Sequence, residues 1–284
     1  MPSRRSFLRT SATLLPAIAL ASHRAWALNS FPIGLQLYTL RKLAERDLPD
    51  VLDQVHHIGY QEVETYDGVY SYAADALRHM LSDAGLTAPS GHFAYEKFDT
   101  YFEYARSLGM SWMVISAIPS RLWGSPDGFA EAAKQFNIWG QKAKALGMRF
   151  AFHNHDYEFR PLPNHKTGYD VLVEQTDPSL VFFEIDCYWA AQAGLDPVAF
   201  IRGMGHRVKM LHLKDRKPGF PPSFEMNQDS AHFVPVGKGS LDWKAILAEA
   251  QSLGVEHYFV EQDQTTGSPY EAIRASYQYL HRLT

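Results

Sequence analysis

The strongest constraint on this chain is an alternation. After residue 30, eight apolar runs of strand length appear: "FPIGLQLY" (31–38), "YQEVETY" (60–66), "LTAPSGHF" (86–93), "SWMVISAI" (111–118), "MRFAFHN" (148–154), "LVFFEID" (180–186), "RVKMLHL" (207–213) and "EHYFVEQ" (256–262). Helix-like segments lie between most of them, at 48–59, 72–85, 127–147 and 240–254. Gly59, Gly85, Gly109, Gly147 and Gly254 stand where such helices would end, and glycine readily takes the left-handed turn that closes a helix. Ser240 or Asp242 is placed to cap the last of them. Eight strands alternating with helices over about 250 residues predict a single-domain α/β fold, the (β/α)₈ TIM barrel, over 28–284. A doubly wound open sheet is the competitor. No G-x-G-x-x-G follows the first strand, which weakens a dinucleotide-binding reading. The longest irregular piece, 217–239, follows the seventh strand and is expected to cover a site at that end.

Composition narrows the function classes. At 46% hydrophobic, 284 residues supply a sizeable core, and a net charge of −4 gives no general attraction to nucleic acid. The one cysteine, Cys187, rules out an internal disulfide and a cysteine-rich zinc site. It is expected to be a small buried hydrophobe. The N-terminus reads differently. Arg4 and Arg5, the short apolar run 12–21 and Ala25-Trp26-Ala27 form a charged region, a hydrophobic region and an A-x-A-like cleavage site. Residues 1–27 therefore look like a twin-arginine export signal. The run is short for a membrane span. The expectation is export by the twin-arginine translocation machinery, folded, to the periplasm or beyond. The mature protein would start at Leu28 and carry no membrane anchor.

In a barrel, chemistry sits where strands end and βα loops begin. The fifth run ends in His153, Asn154 and His155, with Asp156 and Glu158 close behind. The sixth ends in Asp186, the seventh in His212, Lys214 and Asp215, the eighth in Glu261 and Asp263, and the third adds His92. Four successive strands thus each deliver a metal-ligand type: His153, Asp186, His212 and Glu261. Neighbouring strands lie about 4.8 Å apart, so four inward-facing groups can meet on one divalent ion. Mixed imidazole and carboxylate donors suit Mn²⁺, Mg²⁺, Co²⁺ or Zn²⁺. Each residue alone has a plainer role: a bonded strand-end histidine, a capping Asp186, an ion-paired Glu261. Tyr38, Tyr66, Phe93, Tyr188 and Trp189 are core or pocket wall, and Trp123 and Trp139 read as helix packing.

Six stretches in order, "GLQLYTLR", "YQEVETYDG", "FHNHDYEF", "EIDCYWAAQAGLDP", "LHLKD" and "PVGKGSLDW…YFVEQD", resemble the sugar phosphate isomerase/epimerase family of xylose isomerase-like barrels. The resemblance covers almost all of 28–284. It implies a metal-dependent sugar isomerase or epimerase that removes a proton next to a carbonyl and passes through an enediolate held by the metal. A dehydratase or lyase of a keto-sugar, cyclitol or 3-keto-glycoside, as in inosose dehydratases, is the alternative. A sugar-binding barrel without catalysis is the alternative of another class. Asp186, His212 and Glu261 match the usual ligands. His153 stands where epimerases commonly carry glutamate, and Glu158 is the other strand-five ligand or base. The implied catalytic residues are Glu158, Glu261, His155 and Lys214. The implied substrate-binding residues are His92, Tyr38, Trp189 and Asn154. The partner is a small sugar or sugar derivative. Barrels of this family often pair as homo-oligomers, and no stretch reads as the interface.

Overall fold

The computed structural model describes residues 31–163, 165–226 and 229–283. Residues 1–27, expected to be an export signal, lie outside them. Eight parallel strands carry the frame: β1 (Ile33–Gln36), β2 (Glu62–Thr65), β3 (Thr87–Phe93), β4 (Trp112–Ile115), β5 (Arg149–His153), β6 (Val181–Asp186), β7 (Val208–Leu213) and, after a two-stranded excursion, β10 (His257–Val260). They pair in the closed order β1-β10-β7-β6-β5-β4-β3-β2. The parallel pairing of β1 with β10, Gly34 opposite Phe259, closes the ring and excludes the open sheet. Each strand lies inside the apolar run predicted for it. Strands buried on both faces read as continuous hydrophobic runs rather than alternating ones, which is why they were visible.

The helices follow their stop and start signals. Leu48–Ile58, Ala74–Asp83, Pro126–Ala145 and Trp243–Ser252 occupy the predicted segments. Asp242 rather than Ser240 caps the last, accepting a hydrogen bond from Ala245 N. Ser240 instead donates its hydroxyl to Arg216 O. Among the described residues no helix is long and apolar enough to cross a membrane.

The barrel interior changes character along its axis. At the N-terminal end Trp112, Val114, Ala151, Met210 and Phe259 form a small apolar cluster. Arg149 closes that end, its guanidinium 3.8 Å over the Trp112 ring and bonded to both Glu256 oxygens at 2.8 and 2.6 Å. Above the apolar cluster the interior turns polar, with Gln36, Glu64, Ser90, His153, Glu184 and His212 all buried. That layer is the floor of the site.

The described part of 217–239 carries more regular structure than its sequence suggested. β8 (Asp215–Arg216) pairs antiparallel with β9 (Phe233–Val234). Its "VGKG" turn serves one buried carboxylate: Gly237 N and Gly239 N donate to Asp215 Oδ2 at 2.9 and 3.0 Å, and Trp243 Nε1 adds a third bond at 2.8 Å. A Cβ on Gly239 would meet the Asp215 carboxylate and lie 2.6 Å from Arg216 O. Gly239→Ala is therefore expected to cost about 2 kcal/mol, by overpacking and by loosening bonds to a buried charge. Thermal unfolding would show it as a Tm lowered by about 5 °C. An unchanged Tm would mean the turn is free to shift.

Candidate active site

A cavity of about 290 Å³ opens at the C-terminal end of the barrel. Tyr38, Tyr66, His92, His153, His155, Lys214, Met226, Glu261 and Asp263 are among its lining residues. Met226 comes from the 217–239 segment, whose backbone N donates to both oxygens of Asp156 at 3.0 Å. The segment thus reaches over the site, as expected from its place after β7.

The centre of the site is a cation among carboxylates. Lys214 Nζ lies 2.9 Å from Asp186 Oδ2, 2.7 Å from Glu261 Oε2 and 2.7 Å from Asp263 Oδ1. Lys214 is fully buried, and these carboxylates hold its pKa well above the ordinary value despite the opposing effect of burial. Asp186 divides its oxygens. Oδ1 accepts from Trp189 N and caps the helix Cys187–Gln192, while Oδ2 faces Lys214 without hydrogen-bond alignment. Burial pushes its pKa up to about 6.

His212 links this cluster to the floor. Its Nδ1 lies 2.9 Å from Glu261 Oε2, and its Nε2 lies 2.6 Å from Glu64 Oε2 and 3.2 Å from Glu184 Oε2. Below it, His92 Nε2 lies 2.8 Å from Glu184 Oε2 and 3.0 Å from Glu64 Oε2. His153 Nδ1 lies 3.2 Å from Glu184 Oε2. Gln36 and Ser90 donate the remaining bonds to Glu64, at 2.7 and 2.5 Å. Burial alone would raise the Glu184 pKa, but the surrounding imidazoles hold it down at about 2. The two carboxylates in turn raise His92 to about 9 against its burial.

Glu64 and Glu184 were missed from the sequence. The signal was present: Glu184 stands two residues before Asp186, hence on the same face of β6. A carboxylate inside an apolar parallel strand is costly unless paired, so both should have pointed inward to partners.

The predicted ligands gather in two overlapping groups. Asp186, His212 and Glu261 offer donor atoms within 4.8 Å of one another. His153 falls with His92, Glu184 and His212 in a second group of the same compactness, and its Nε2 stands 3.8 Å from Asp186 Oδ2. A divalent ion fits this donor set by type: Asp186, His212 and Glu261 offer two carboxylates and one imidazole, and Asp186 Oδ2 is buried without a hydrogen-bond partner among the described residues.

The remaining predicted residues divide by position. His155, Tyr38 and His92 line the cavity. His155 is held neutral by burial and by the Lys214 charge, its pKa down at about 3, and its Nδ1 is buried without a partner among the described residues. Asn154 braces the frame: its Oδ1 accepts from Asp186 N at 3.0 Å, tying the end of β5 to the end of β6. Trp189 is buried behind the cavity wall, its ring 5.5 Å from Lys214 Nζ and 5.4 Å from the His155 ring. Glu158 is also behind the wall. Both its oxygens accept from His155 N, at 3.1 and 3.0 Å.

Burial pushes the Glu158 pKa from 4.5 up to about 8. Between those two values the unfolded chain releases the proton and the folded chain keeps it, so stability falls as pH rises through that window. Glu158→Gln removes this titration. Thermal melts from pH 4.5 to 8 are expected to show the wild type losing Tm relative to the variant. Parallel profiles would contradict the burial of an uncompensated carboxyl.

The model of the xylose isomerase-like TIM barrel family matches residues 52–283. The chain belongs to that family. An inosose dehydratase of Clostridium botulinum is 29% identical over 158 residues, 52% of this chain and 52% of that protein. In that match the chain spans about half the length of its relative. An inosose dehydratase of Lacticaseibacillus casei is 22% identical over 284 residues, 88% of this chain and 94% of its own. A solved sugar phosphate isomerase/epimerase from Parabacteroides distasonis superposes with a TM-score of 0.73 at 26% identity, covering 94% of this chain and 98% of that one. The xylose isomerase-like barrel is thus shared with isomerase/epimerase and dehydratase relatives alike.

Proposed function

We propose that this xylose isomerase-like barrel removes a proton next to the carbonyl of a sugar, cyclitol or small glycoside, and that a β substituent then leaves. The observation that carries the reading is the asymmetry of the cavity. Its β5 side presents two neutral imidazoles, His153 and His155, and its β10 side presents the carboxylates Glu261 and Asp263 around the Lys214 ammonium. No strand-five carboxylate faces Glu261 across the cavity, because Glu158 is bonded to its own turn. A pair of carboxylates on opposite faces would suit epimerisation; one basic face suits elimination, in which proton and leaving group depart on the same side.

The roles follow from charge and place. Lys214 stands where negative charge develops on the substrate oxygens and stabilises it electrostatically. His155, neutral and lining the cavity, accepts the α proton and returns it to the leaving oxygen. Glu261 and Asp263 fix the Lys214 ammonium. Asp186, His212 and Glu261 are the residues that would hold a divalent ion, Mn²⁺, Mg²⁺, Co²⁺ or Zn²⁺ by donor type. When bound, such an ion supplies Lewis-acid polarisation of a carbonyl and its neighbouring hydroxyl. The Glu64 and Glu184 carboxylates behind His212 Nε2 orient the imidazole so that Nδ1 faces the outer group.

Isomerisation is the second reading, favoured by the structural likeness to the Parabacteroides distasonis protein. Product analysis by NMR separates them. Keto-sugars, inososes and 3-keto-glycosides incubated with the metal-loaded protein are expected to yield an enone or enol and release water or an alcohol. Recovery of an epimer or aldose–ketose isomer alone would overturn the elimination reading. Export of the folded protein by the twin-arginine route remains part of the proposal and places the substrate outside the cytoplasm. N-terminal sequencing that finds Met1 retained on the exported protein would contradict it.

A further inference from the structure

A second cavity opens beside the first. It also measures about 290 Å³ and lies between the turn after β1 and the loop after β10. Asp263 lines both cavities. They meet at one residue, on the same end of the barrel, and each is at the low end of the size range for a small-molecule site.

Their walls differ in charge. Arg41, Lys42 and Arg46 line the second cavity, and among the described residues Asp263 is the one carboxylate in its wall. That carboxylate turns toward Lys214, whose Nζ lies 2.7 Å from its Oδ1, so three cations of the wall face a single carboxylate. Glu45 sits next to Arg46 in sequence but is exposed and outside the wall. The cavity therefore carries a positive potential, which concentrates anions.

The arginine nearest the first cavity is positioned. Arg41 Nη1 donates to Tyr38 O at 2.9 Å, and the guanidinium lies 4.1 Å from the Tyr38 ring centroid. Tyr38 itself lines the first cavity. A guanidinium held in this way keeps further N–H donors in a planar fork, the geometry that matches an oxyanion. Thr39 adds a donor. Its Oγ1 accepts from Gln262 N at 3.0 Å, which leaves the hydroxyl hydrogen to give.

We propose that this second cavity is a subsite for an oxyanion carried by the substrate on the unit next to the one that reacts. The shared chemistry is a carboxylate, sulfate or phosphate group in bidentate contact with Arg41 and within reach of Lys42 and Arg46. The proposal rests on the reading of the first cavity as the place of reaction, since it is the continuity at Asp263 that makes the two cavities one cleft.

Isothermal titration of the full chain with sodium sulfate, sodium phosphate and glucuronate, at low ionic strength, tests it. At least one of the three is expected to bind, with affinity reduced about tenfold or more in the Arg41→Ala/Arg46→Ala double variant and retained in His155→Asn. Rising salt should weaken the binding. If the double variant fails to fold, the exposed-side-chain variants Lys42→Gln and Arg46→Gln, made singly, are each expected to weaken binding several-fold. Tighter binding of glucuronate than of sulfate points to an acidic sugar, and tighter binding of phosphate to a sugar phosphate; both support the subsite. No binding by any of the three, or equal binding by wild type and the arginine variants, overturns it. The outcome is separable from the reaction itself: oxyanion binding without α-proton exchange would sink the proposed function and leave the subsite standing.

Discussion

Lys214→Met should lose stability and activity together, and more stability than any other single change in the cavity. The ammonium sits within 2.9 Å of three buried carboxylates. Methionine keeps much of the side-chain length and removes the charge. Asp186, Glu261 and Asp263 then face one another without their shared cation. Breaking a buried ion pair from one side costs about 3–5 kcal/mol, so Tm should fall by about 10 °C. In the proposed site a divalent ion would bind the folded state through two of those carboxylates. Saturating Mn²⁺ should therefore raise the Tm of the variant by more than it raises that of the wild type. Turnover should fall by about 10³-fold even when the metal restores stability, because the group facing the developing oxyanion is gone. A Tm unmoved by the substitution would mean that the carboxylates take up protons at little cost.

His155→Asn separates chemistry from architecture. The ring lines the cavity, and its Nδ1 has no partner among the described residues. The fixed bond of this residue is made by its backbone N to Glu158, which asparagine keeps. Stability should change by less than about 1 kcal/mol, and turnover should drop by about 10²–10⁴-fold, the range for a lost general acid–base group. Glu158→Gln is the informative partner. Its carboxyl lies behind the wall, so turnover should change far less than in His155→Asn. The reverse order would return the base role to Glu158, the assignment suggested by its place in "FHNHDYEF".

Much of this was legible in the sequence, for physical reasons. Parallel barrel strands are buried on both faces, so all eight appeared as apolar runs, and glycines such as Gly109, at φ 88°, marked helix ends. The outer residues of the site were legible because strand ends are where barrels place chemistry: His153, His155, Asp186, His212, Lys214 and Glu261 all reach the cavity or its immediate wall. The floor was harder. Glu64 and Glu184 lie inside strands, where a pattern read for hydrophobic runs treats a lone carboxylate as an interruption. Side-chain direction was harder still. Glu158 and His155 are three residues apart, and only the turn Tyr157–Phe159 decides that one folds back onto its own backbone while the other faces the cavity. The capping role of Asp186 was legible, and Oδ1 fills it; that Oδ2 would face Lys214 was not.

In the proposed reaction this cavity ionises a carbon next to a carbonyl. The most direct test is proton exchange, which needs no knowledge of the product. The metal-loaded protein is incubated in D₂O with a panel of keto-sugars, inososes and 3-keto-glycosides, and deuterium at the α carbon is followed by NMR. Incorporation is expected with at least one member of the panel and is expected to be lost in His155→Asn. A ligand that binds the wild-type protein with no exchange above the uncatalysed rate would contradict the account and leave a sugar-binding barrel in its place.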